Sequence, residues 1–191
     1  MNETAKCEKN RLISGHYAYY LRGNGIDIGS GDSPLVVPSG KVRAWDVFDG
    51  DAQLLEGVPD NSFDFVYSSH CLEHMRDVAE ALSHWRRVLK PGKHLYVVVP
   101  DYELYEKCQW PSIYNGDHKH SFSSRITRTM VERENHWNVE LDLVPVLGGM
   151  GVDLIEFGVE CDGYNWNKGP LDQTLGKAVA QLYFIGRKRF I

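Results

Sequence analysis

The stretch Gly25–Pro34, Gly-Ile-Asp-Ile-Gly-Ser-Gly-Asp-Ser-Pro, constrains this chain more than any other. Ile26 and Ile28 read as the end of a short buried strand. Gly29 and Gly31 then allow a tight turn and a close backbone approach to a ligand. Asp27 lies between two apolar residues, where an unpartnered charge is costly. Backbone N–H groups in such a turn can meet a polar ligand directly. The third glycine of a dinucleotide fingerprint is absent, because Ser33 stands in its place.

The chain that follows supports one α/β domain over residues 1–191. A helix is expected within 1–22, with Leu12, Ile13, Tyr17, Tyr20 and Leu21 as its buried stripe. Lys41–Val47 and Phe63–Ser69 read as strands, and Pro38 with Gly40 leaves little room for a helix between the first two. Asp77 and Glu80 mark a capped helix start, and Val78, Leu82, Trp85, Val88 and Leu89 repeat at helical spacing. Lys90-Pro91-Gly92 ends that helix. His94–Pro100 reads as a fully buried parallel strand. Ser124–Glu134 is expected to be helical, Trp137–Met150 is ambiguous, and Val152–Val159 and Val179–Lys188 are the last strands. The expected fold is a three-layer sandwich on a largely parallel, Rossmann-like sheet with an antiparallel terminal strand.

Segment 101–123 is too long and too aromatic for a plain connection, holding Tyr102, Tyr105, Trp110 and Tyr114 before Asp117, His118 and His120. The excess of 26 acidic over 21 basic residues argues against a sequence-independent nucleic-acid binder. Cys7, Cys71, Cys108 and Cys161 lack the spacing of a zinc knuckle and suggest a reduced, cytoplasmic protein. The polar start, Met1–Asn10, has no signal-peptide core, and no apolar run is long enough to span a membrane.

Five ordered motifs now resemble a class I S-adenosylmethionine-dependent methyltransferase. They are Ile26–Gly31, Asp51-Ala52, Asn61–Val66, Leu72-Glu73-His74 and Arg87–Gly92. The resemblance implies S-adenosyl-L-methionine as cofactor. Gly29 and Gly31 would lie under its methionine part, Asp27 would hold the turn and the amino group, and Asp46 the ribose. Asp51 and Ala52 would meet the adenine, with Ser69 and His70 beside the sulfonium. Further on, Pro100-Asp101-Tyr102, Asp117–His120 and Asp172-Gln173-Thr174 are similar to small methyltransferases associated with glycan assembly.

Transfer to oxygen needs an aligned acceptor, exclusion of water and a base. His118 and His120, with His70, are the expected catalytic residues. His74, Tyr102, Tyr105, Trp110 and Tyr114 are expected to bind the substrate, since aromatic rings suit a sugar face. His118-x-His120 could contribute two metal ligands, with Asp101, Glu73 or Asp117 as a third, but no metal is expected. Tyr67-Ser68-Ser69-His70 lacks the Asn/Asp-Pro-Pro-aromatic motif of enzymes that methylate adenine or glutamine amides. The expected reaction is O-methylation of a sugar hydroxyl in a glycan or nucleotide-sugar. The alternatives are a phenol or carboxylate acceptor, or a catalytically silent binding module.

Overall fold

The computed structural model describes residues 3–190; Met1 and Asn2 of the polar start, and Ile191, lie outside the described residues. Two helices open the chain, α1 (Glu3–Ile13) and α2 (His16–Tyr20). They replace the single helix expected over 1–22. Gly15 stands between them with φ +78°, a left-handed conformation that ends α1. Tyr17, Tyr20 and Leu21 are buried as expected, but Ile13 is exposed.

Strands β1 (Gly23–Ile28), β2 (Gly40–Trp45) and β3 (Phe63–Ser69) precede helix α3 (Val78–Val88) and strand β4 (Leu89–Pro100). The link from β1 to β2 carries no helix, in keeping with Pro34 and Pro38 in it. Asp77 caps α3 by accepting from the Glu80 N–H at 2.9 Å. The helix ends at Val88, and the chain enters β4 at once, so Lys90-Pro91-Gly92 opens the strand.

Beyond β4 lie β5 (Ser121–Ser123), α4 (Arg128–Val131), β6 (His136–Asn138), α5 (Val144–Gly149), β7 (Val152–Glu160) and β8 (Gln181–Lys188). Of the helix expected over Ser124–Glu134 only one turn forms. It is capped by the Thr127 side chain, buries no residue, and stops at Glu132, whose φ is +54°.

The main sheet has the order β2-β1-β3-β4-β8-β7. β1 pairs in parallel with β2 and β3, and β3 with β4, while β8 runs antiparallel to both its neighbours. Alternation along β3 and β4 sends side chains to two layers. Val66, Leu95, Val97 and Val99 join Leu82, Trp85 and Leu147 on one face. Phe65, Tyr67, Tyr96 and Val98 join Tyr17, Tyr20 and Leu21 on the other. The result is the three-layer α/β sandwich. Among the described residues no helix is long and apolar enough to cross a membrane.

Candidate active site

The parallel strands β1, β2, β3 and β4 all present their carboxyl ends to one edge of the sheet, the usual ligand edge of such folds. Two neighbouring regions form there. One surrounds the glycine turn after β1. The other is a cavity beyond β3 and β4.

In the first region Gly29 and Gly31 have φ of +76° and +52°. They serve different ends. A Cβ on Gly29 would lie 2.6 Å from Cβ of Cys71, so the missing side chain makes room for Cys71 rather than for a ligand. A Cβ on Gly31 would meet nothing within 4 Å, and this glycine faces open space. Asp46, just past β2, accepts the Gly31 N–H at 2.5 Å and the Val47 N–H at 2.7 Å. Asp27 is buried, accepts the Leu35 N–H at 2.7 Å and ties the far side of the loop to β1. Burial pushes its carboxyl up to about 7, with the Leu35 N–H opposing the shift.

Asp51 pairs with Arg76 at 2.7 Å and accepts the Gln53 N–H. Burial raises its pKa, but these partners outweigh burial and hold it below the ordinary carboxylate range. Ala52 gives its carbonyl to Nε1 of Trp85 at 2.8 Å. Ser69 Oγ is buried with no hydrogen-bond partner among the described residues. An open glycine turn, two acidic side chains on the rim and an orphaned hydroxyl fit the polar ends of S-adenosylmethionine.

The second region is a cavity of about 430 Å³ lined by His70, Glu73, His74, Tyr105, Tyr114 and His118, with Asn115, Asp172 and Thr174 on its rim. It is assembled from the end of β3, the short 3₁₀ turn Leu72–His74, the 101–123 loop and the turn before β8. The loop is anchored by Lys119 and His120, whose N–H groups donate to the Glu73 carbonyl at 2.8 and 3.1 Å. Asp101 fastens its start, accepting the N–H groups of Glu103 and Leu104 at 3.0 and 2.9 Å. Asp101 is not among the three residues whose ligand atoms converge, which are Glu73, His74 and His118.

Hydrogen bonds fix the outer nitrogen of each cavity imidazole. His118 Nδ1 donates to Glu106 Oε1 at 2.6 Å, and His74 Nδ1 donates to Asp117 Oδ2 at 2.9 Å. Gln181 donates its amide to Glu160 at 2.6 Å, so its oxygen faces His70 and must accept from Nε2 at 2.9 Å. The inner nitrogens then face Glu73. His70 Nδ1 is 3.7 Å from Glu73 Oε1, His74 Nε2 is 3.8 Å and His118 Nε2 is 3.9 Å. None of these is a hydrogen bond, and neither Glu73 oxygen has a partner among the described residues. Burial pushes Glu73 up to about 8 and His70 down to about 4.

The expected site residues thus divide. His70, His74, His118, Tyr105 and Tyr114 come together at the cavity. His120 does not. Its Nδ1 accepts from Trp137 Nε1 at 3.2 Å and its ring packs edge-on against that indole. Tyr102 is buried, with its hydroxyl donating to the Cys108 carbonyl at 2.9 Å, and Trp110 lies under the Arg133 guanidinium. Neither lines the cavity. Glu106 went unread in the sequence, where nothing in its spacing marks it as the partner of His118.

Residues 14–97 match a family model described as a methyltransferase domain. An uncharacterized methyltransferase of Schizosaccharomyces pombe is 39% identical over 59 residues, which cover 31% of this chain and 20% of that protein. The match therefore spans about a fifth of that relative's length. Among solved structures, a Bacillus halodurans protein assigned as a methyltransferase superposes with a TM-score of 0.59 at 17% identity, over 94% of this chain and 99% of its own. A SAM-dependent methyltransferase of Aquifex aeolicus gives 0.54 at 15%, over 97% and 98%. The Burkholderia thailandensis 1,6-didemethyltoxoflavin-N1-methyltransferase, solved with S-adenosylhomocysteine, gives 0.53 at 12%, over 97% and 79%. The chain is thus similar to methyltransferases in sequence over residues 14–97, less than half of its length, and shares their fold over nearly the whole chain.

Proposed function

We propose that the protein is an S-adenosylmethionine-dependent O-methyltransferase that acts on a sugar hydroxyl of a glycan or nucleotide-sugar. The observation that carries this reading is the polar, histidine-lined cavity beside the glycine turn. Cys71 packs on Gly29, so its neighbour His70 stands where the two regions meet. Asp172 in the cavity wall disfavours a carboxylate acceptor by like-charge repulsion. The largely polar lining suits a polyhydroxylated ring better than a flat phenol, and Tyr105 and Tyr114 offer apolar area with polar edges.

When bound, the cofactor supplies a methyl group on a positively charged sulfur. Gly31 would give its methionine part room, Asp27 and Ser69 would meet its polar groups, and Asp46 and Asp51 would hold the ribose and adenine. The methyl group would go to the acceptor oxygen, the S–CH₃ bond breaking as the O–CH₃ bond forms. The acceptor's proton passes to Nδ1 of His70, because Nε2 is held protonated by Gln181. The cavity walls fix the oxygen in line and limit water.

The test is incubation with isotopically labelled cofactor and a panel of free sugars, nucleotide-sugars, phenols and carboxylates, with products read by mass spectrometry. The expected product is a methylated sugar. Methyl transfer only to phenols or carboxylates would overturn the acceptor assignment. Cofactor binding with transfer to no panel member would support the silent module.

A further inference from the structure

Glu73 is the most unusual residue in the chain. It is buried, carries a carboxylate, and neither oxygen has a hydrogen-bond partner among the described residues. A buried carboxylate in a native fold is almost always paired, hydrogen-bonded or coordinated to a metal. What surrounds Glu73 is a set of imidazole nitrogens whose protons have been spent elsewhere. His118 donates its Nδ1–H to Glu106, and His74 donates its Nδ1–H to Asp117. Their Nε2 lone pairs face Glu73 Oε1 at 3.9 and 3.8 Å. Three ligand atoms converge there without a hydrogen bond between them, all within 4.8 Å of one another.

Convergent lone pairs repel unless a proton or a cation lies among them, and two imidazoles with a carboxyl are a ligand set for a cation. A zinc-type ion held at ~2.0–2.2 Å by nitrogen and oxygen places tetrahedral ligands about 3.4 Å apart. The three ligand atoms, within 4.8 Å of one another, would draw together by up to about 1.4 Å to reach that spacing. The outer hydrogen bonds are also those of a metal site, since ligating histidines commonly donate their other N–H to a carboxylate. Glu106 and Asp117 supply that second layer. Two imidazoles and one carboxylate suit a divalent transition-metal ion better than magnesium or calcium, which favour oxygen ligands.

We propose that Glu73, His74 and His118 bind one divalent cation of the zinc type, with an open coordination position toward the cavity. His70 is excluded from the ligand set: its Nδ1 approaches Glu73 at 3.7 Å, but the convergent group comprises only the other three residues. His70 stays available as the proton acceptor. The role of the ion rests on the methyltransferase reading: the acceptor hydroxyl would occupy the open position, and a Lewis acid there would make it more acidic. The His-x-His pair suggested by the sequence is not the site, because His120 points to Trp137.

The experiment is a titration of the metal-stripped full chain with Co²⁺ alone, followed by visible absorption, then displacement by Zn²⁺ and metal analysis after dialysis. One equivalent of Co²⁺ with a low-symmetry d–d spectrum, lost on adding zinc, is the expected result. Glu73→Gln and His74→Ala should each weaken binding at least about tenfold, while His120→Ala leaves it unchanged. Absence of saturable binding, binding that survives both ligand variants, or binding that depends on His120 would each overturn the site. Should Glu73→Gln fail to fold, His74→Ala decides alone, since that side chain is a quarter exposed and packs at the cavity rim. A thermal shift with S-adenosylhomocysteine runs in parallel. A shift without metal binding removes only the cation site; metal binding without a shift removes only the methyltransferase reading.

Discussion

The two halves of the ligand edge are built in opposite ways. The glycine-turn half comes from one continuous run, from Gly25 to Ala52, and its contacts are short-range: Asp46 to Gly31, Asp27 to Leu35, Asp51 to Gln53. The cavity half is collected from segments far apart in the chain, with Glu73 meeting His118 and His70 meeting Gln181. The first half needs β1, β2 and β3 in register, with Cys71 and Arg76 just beyond β3. The second needs β8 inserted beside β4 and the 101–123 loop docked on Glu73. A local half can be shared by proteins with different acceptors, while a long-range half can be rebuilt without disturbing it. The chain's sequence match ends at residue 97, before the loop that completes the cavity.

Separating the halves by mutation gives the largest expected effect. His70→Ala should lower kcat by about 10²- to 10⁴-fold, the usual contribution of a positioned acid or base. Cofactor affinity should stay near that of the parent, because Gly31, Asp46 and Asp51 are untouched. Steady-state kinetics with calorimetry of S-adenosylhomocysteine binding measures both. Loss of cofactor binding with kcat retained would mean that His70 belongs to the glycine-turn half.

The two glycines provide the next contrast. Gly29→Ala should destabilise the fold by about 2–4 kcal/mol, since left-handed backbone costs ~1–2 kcal/mol for a residue with a Cβ and the Cys71 contact at 2.6 Å adds overpacking. Gly31→Ala carries only the backbone cost, so about half that loss is expected. Urea denaturation with an unchanged m-value checks the ranking. Equal losses would show that Cys71 yields without cost. Adding Cys71→Ser or Cys71→Ala to Gly29→Ala should recover part of the difference, as expected for residues in contact.

What could be read from residue order follows the same division. β3, α3 and β4 were legible because Phe63–Ser69 alternates, Asp77 is a cap, and Leu95–Val99 is continuously apolar. The missing helix between β1 and β2 was legible from Pro38 and Gly40. The helix over Ser124–Glu134 was overestimated: its residues favour helix locally, but no apolar face was there to bury, and Met130 stays exposed. The break at Gly15 was missed because Tyr17, Tyr20 and Leu21 continue the stripe across it. At the cavity, His70, His74 and His118 stood out by residue type, whereas Glu106 did not. Its role exists only through a fold contact to His118, and an acid in a polar loop carries no periodic signal. His120 was overvalued for the converse reason: two histidines one residue apart look alike in sequence, and only the bend of the loop tells them apart.

Asp27 allows the glycine-turn half to be examined through pH. Its pKa is raised from 3.8 to about 7 by burial. A carboxyl raised in the folded state binds its proton more tightly there than in the unfolded chain. Stability is therefore full below about pH 4 and is lost as pH rises through about 7, by up to ~4 kcal/mol in the cofactor-free protein. Asp27→Asn keeps an acceptor for the Leu35 N–H and removes the charge. The variant's stability should be flatter between pH 4 and 8, and at pH 8 it should melt above the parent without ligand. Chemical denaturation at several pH values measures this. A parent profile no steeper than the variant's would show that Asp27 ionises in the fold without penalty.

The smallest expected effect falls on the residue that residue type alone ranked beside His118. His120→Ala should change kcat by less than about twofold, because the ring accepts from Trp137 and packs against that indole, outside the cavity. What it loses is a neutral hydrogen bond and a ring contact, together about 1–2 kcal/mol of stability. The same substitution at position 118 removes an imidazole held by Glu106 at 2.6 Å in the cavity wall. A kcat loss near 10²-fold in that variant is the expected counterpart. Melting temperature and kcat measured on both variants separate the roles. His120→Ala should move the first and spare the second, while His118→Ala should move the second. If His120→Ala lowered kcat as much as His118→Ala, the loop would have to turn over in solution to bring position 120 into the cavity. The Lys119 and His120 N–H bonds to the Glu73 carbonyl would then have to break, because they set which side of the loop faces the acceptor.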